Sequence, residues 1–107
     1  MIYKFKSNAA GDVIMLGAHG DALLKLLGKD VSASGIIEPA QMPAAIAALE
    51  QAVHADEAER ARAEAEAQAE GHTLPPRQEV SLRQRVWPLV EMMKRAGAED
   101  QAIVWGV

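Results

Sequence analysis

A chain of 107 residues with no cysteine has room for a single domain, 1–107, and no means of building a disulfide, a thiolate nucleophile or a cysteine-based zinc site. Its formal charge of −4 is unevenly placed: residues 1–35 and 73–107 are close to neutral, and 36–72 holds eight acids against Arg60 and Arg62. Without a basic stripe to neutralise phosphates, nucleic acid is not an expected partner. No apolar run approaches the roughly 18–20 residues of a membrane span, and Asp12 breaks the apolar region after Lys4 and Lys6. Neither a membrane segment nor a secretory signal is expected, and the chain reads as cytoplasmic.

Half of the residues are hydrophobic, but 13 of the 31 positions from 40 to 70 are alanine. Alanine favours helix and buries little. With Tyr3, Phe5, Trp87 and Trp105 as the only aromatics, the expected core is thin and aliphatic. A second subunit would add to it.

In chain order, Ile2-Tyr3-Lys4-Phe5-Lys6 alternates with period two, the pattern of a strand buried on one face. Val13, Leu16, Leu23, Leu24 and Leu27 fall at helical spacing, which favours a helix over 13–27 closed by Gly28; a short strand at 12–16, forming a hairpin with the first, is the alternative. Residues 29–41 read as loop. Pro43 suits a first helical turn, and Met42, Ile46, Leu49 and Val53 then form a narrow apolar seam.

Beyond Val53 the seam stops. Residues 55–70 read as an exposed Ala/Glu-rich helical extension, held by pairs three or four apart: Asp56 with Arg60, Glu59 with Arg62, Arg60 with Glu64 and Arg62 with Glu66. Residues 71–80, with Pro75-Pro76, read as a linker. Ser81 to Gln84 is a capping box that opens a helix carrying Leu82, Val86, Leu89, Val90 and Met93, with Pro88 as an interior kink and Gly97 as its end. Ala102 to Val107 reads as a final strand.

The expected fold class is therefore α+β: strand, helix, long helix, helix, strand, with a small sheet formed by the N- and C-terminal strands packed on the helices. Three intervening helices would return the last strand parallel to the first. An open first strand, or the 42–53 seam, would be the surface on which two copies meet.

Chemistry-bearing residues are sparse. His19 and Asp21, flanked by Gly17 and Gly20, are a small polar candidate, but the glycines make no phosphate loop. Glu50 and His54 have a metal-compatible i, i+4 spacing, but two ligands make no site, and no metal or cofactor is expected. Arg83, Arg85 and Trp87 are the strongest ligand-binding candidates: paired arginines clamp anions, and Trp87 with Trp105 would wall a shallow pocket. Solvated arginines and core tryptophans account for the same residues. No nucleophile elbow is present and no catalytic residue is assigned, so the chain is not expected to be an enzyme.

Several blocks occur together: Tyr3-Lys-Phe-Lys-Ser, then Ala10-Gly-Asp-Val-Ile-Met-Leu-Gly and Leu23-Leu-Lys-Leu-Leu-Gly-Lys; Gly35-Ile-Ile-Glu-Pro-Ala with Met42-Pro-Ala-Ala-Ile; Ser81-Leu-Arg-Gln-Arg-Val-Trp-Pro-Leu-Val-Glu-Met-Met; and Ile103-Val-Trp-Gly-Val. Together they resemble a small bacterial family, domain of unknown function 1840, over nearly the whole chain. The resemblance implies a small cytoplasmic bacterial protein and transfers no site. Two functions follow as expectations: a non-enzymatic interaction or accessory protein acting as a homo-oligomer, or a small-ligand or anion-binding protein using Arg83, Arg85 and Trp87.

Overall fold

The computed structural model describes residues 2–76 and 80–106. Strand β1 (Ile2–Ser7) turns through Asn8 and Ala9 into β2 (Ala10–Leu16), which runs directly into helix α1 (Gly17–Leu26). Strand β3 (Gly35–Ile37) and a single 3-10 turn (Pro39–Gln41) precede the long helix α2 (Met42–Ala69); α3 (Leu82–Ala98) and β4 (Ile103–Trp105) complete the chain. The class is α+β, with the terminal strands in one sheet packed on three helices.

The sheet is larger than the two terminal strands and wholly antiparallel, in the order β2-β1-β4-β3. Residues 12–16 are strand, not the start of a helix. Leu16 is thereby moved off the predicted helix face and lies opposite Ile2, while Val13 lies opposite Phe5. Gly35–Ile37, read as loop, pairs with β4, and β4 runs antiparallel to β1 rather than parallel. The expectation of a parallel return fails because β3 runs in the same direction as β1, and the antiparallel pair α2 and α3 that follows it returns β4 opposite to both. β1 is also an interior strand, so it cannot be the open edge. The edges are β2 and β3.

One face of the sheet carries Tyr3, Phe5, Met15, Ile37, Ile103 and Trp105, all buried. Against it the helices bring Leu23, Leu24, Met42, Leu49, Val53, Val86, Leu89, Val90 and Met93 into a single apolar cluster. The 42–53 seam is thus used within the chain, which removes it as a surface between copies. Tyr3 stacks on Phe5 with ring centroids 5.9 Å apart, and Phe5 meets Trp105 at 5.8 Å.

Helix α1 passes close over Tyr3. An added Cβ at Gly20 would lie 2.1 Å from the ring atom Cδ2 of Tyr3. The ring cannot retreat, because its hydroxyl is bonded to Asp21 and its face to Phe5. Gly20→Ala should therefore cost about 1–2 kcal/mol net, the overpacking penalty exceeding the gain in helix propensity. Chemical denaturation of the two proteins measures it; an unchanged or higher midpoint refutes the close approach.

Helix α2 leaves the core after Val53. Residues 55–70 lie mostly open, with Ala67 as a buried exception. Arg60 donates to Glu64 (2.9 Å) and to the carbonyl of Pro75 (3.0 Å), and Arg62 bonds Glu59 and Glu66. The chain after the helix turns back at Gly71, whose φ of +83° is a conformation open to glycine, and His72 donates its backbone N–H to the Ala67 carbonyl. Of the expected linker, 71–76 and 80 are irregular, and 77–79 lie outside the described residues, as does Val107 of the last strand.

Helix α3 opens on the predicted capping box: Ser81 Oγ accepts from the Gln84 N–H, and Gln84 Oε1 accepts from the Ser81 N–H. Pro88 is accommodated inside a helix that continues on both sides of it. Gly97 does not end the helix. It is packed against Met42, and the reversal falls to Asp100, with φ of 55°.

Candidate functional site

The helical register of α3 puts Arg83, Trp87 and Lys94 at steps of four and seven, on one side of the helix. Arg83 lies over the Trp87 ring at 4.8 Å and Lys94 at 5.4 Å from its centroid. Both cations reach across to α2. Arg83 forms a two-pronged bond to Glu57, with Nε to Oε2 at 2.9 Å and Nη2 to Oε1 at 3.0 Å, and Lys94 Nζ stands 3.5 Å from Glu50 Oε2. Glu50 and Glu57 ascend α2 while their partners Lys94 and Arg83 descend α3, the order required of antiparallel helices.

This arrangement laces α2 to α3 beside a half-buried tryptophan. A bidentate guanidinium–carboxylate bond is the stronger kind of surface pair, and a cation over tryptophan adds about 0.5–1 kcal/mol. The Glu57 hydrogen bond raises the Arg83 pKa above its ordinary value. Arg83 therefore does not present an open fork, and an incoming anion must compete with Glu57 for it. Arg85 points elsewhere: its Nε is shielded from solvent and finds no hydrogen-bond partner among the described residues.

The structure does not bring the two tryptophans together. Trp105 is core, beside Phe5, with its Nε1–H donated to the Ser32 carbonyl at 3.2 Å. His19 and Asp21 do not form a joint site either. Asp21 accepts the Tyr3 hydroxyl at 2.5 Å. That bond, then burial and the nearby carboxylate charge, raise the Tyr3 pKa above 10.0. The phenol contributes stability while neutral, and that contribution is lost as the pH rises through its raised pKa. Tyr3 is the only tyrosine, so an alkaline absorbance titration reads it alone. Ionisation above pH 10.0 in the wild type, shifted back toward the ordinary tyrosine range in Asp21→Asn, is the expected result; an ordinary titration in the wild type refutes it.

Of the i, i+4 pair Glu50 and His54, Glu50 is engaged with Lys94, and His72 lies by Glu70 at 3.2 Å. Among the described residues no three His, Asp or Glu side chains converge to hold a metal ion. Clefts are open and shallow. One of about 470 Å³ lies where the start of β2 meets α3, lined by Gly11, Val13, Pro88, Glu91 and Arg95.

A feature missed in the sequence is the outer face of the sheet. No helix among the described residues covers it, and at its β2 corner Ile2, Ile14 and Leu16 are 63, 65 and 63% exposed. Lys4 and Asp12, 3.8 Å apart, border this corner. The signal was the unbroken apolar run Val13-Ile14-Met15-Leu16. In a strand such a run places two residues inward and two outward; read as helix, it hides the outward pair.

Among the described residues, an antiparallel sheet with helices on one face and exposed aliphatic side chains on the other defines a small α+β protein. The chain matches the family described as Domain of unknown function (DUF1840) over residues 1–105, and it belongs to that family. No curated protein and no solved structure matches it. No helix among the described residues is long and apolar enough to cross a membrane.

Proposed function

We propose that this protein is a non-enzymatic interaction or accessory protein of the cytoplasm that acts as a homo-oligomer, most simply a dimer. The observation that carries this reading is the exposed corner of Ile2, Ile14 and Leu16 on an open sheet edge. Clustered aliphatic side chains at an edge strand mark a surface made to be covered. The thin aliphatic core adds weight, because burial between subunits offsets it. Light scattering at micromolar concentration tests the reading. A mass near twice 11.5 kDa is expected; a mass of 11.5 kDa that does not change on concentration overturns it.

A second reading, an anion-binding protein using Arg83, Arg85 and Trp87, has one observation in its favour, the unpartnered Arg85 Nε. Inorganic phosphate held by Arg85 would give a saturable change in intrinsic tryptophan fluorescence, and Arg85→Gln would abolish the change. A flat phosphate titration removes this reading.

A further inference from the structure

We draw no further inference here: the strongest candidate, the aliphatic patch of Ile2, Ile14 and Leu16 on the outer face of the sheet, is an unpartnered apolar surface, and nothing in the structure shows what covers it.

Discussion

Phe5→Ala should lower the unfolding free energy by about 3–5 kcal/mol, the range for truncating a buried aromatic. Phe5 is fully buried on β1, an interior strand, and its ring touches Tyr3 on one side and Trp105 on the other. The substitution removes the link between the N-terminal hairpin and β4, whose register sets Phe5 opposite Trp105. Neither neighbour is free to fill the gap: Tyr3 is held by Asp21, and Trp105 by the Ser32 carbonyl. The cavity should therefore persist, and the cost should fall at the upper part of the range. Because single domains of this size are stabilised by only about 5–15 kcal/mol, a loss of this size removes a large share of the folding free energy. Urea denaturation followed by tryptophan fluorescence checks it. A loss below about 1 kcal/mol would mean that the ring packing described here is wrong.

Leu49→Ala should cost about 2–5 kcal/mol. Leu49 is wholly buried on α2, in the part of the helix that meets the core, between Met42 and Val53 of the same seam. Truncation there exposes no polar group, so the whole effect is lost transfer energy plus cavity. It should leave the lacing of Glu57 to Arg83 and Glu50 to Lys94 intact, since those pairs lie on the rim of the same helix pair. A double-variant cycle of Leu49→Ala with Glu57→Gln should thus be nearly additive, the second change alone costing about 1 kcal/mol or less as an exposed pair. An unchanged midpoint for Leu49→Ala would put the wrong face of α2 against the core.

These two residues mark how far the sequence alone reaches. The alternation around Phe5, the seam through Leu49, the capping box at Ser81 and the helix end at Gly71 are local patterns, fixed by period and by backbone chemistry within a few residues. They sufficed for the α+β class and the order of the three helices, and the blocks along the chain sufficed for its family.

What only the tertiary structure decided depends on pairing between distant segments. Residues 13–16 are an unbroken apolar run that a helix or a strand could use; pairing with β1, across the two-residue turn at Asn8 and Ala9, makes them strand and turns Ile14 and Leu16 outward. Gly35–Ile37 is too short to declare itself and becomes strand because β4 supplies its hydrogen-bond partners. Arg83, Arg85 and Trp87 were legible as a candidate ligand site, but Glu57, which occupies Arg83, lies 26 residues away on another helix. Asp21, two residues from His19 in sequence, is drawn to Tyr3 because helix α1 crosses that ring at Gly20. In each case the local chemistry admits several partners, and the partner is chosen by which segments the folded chain brings together.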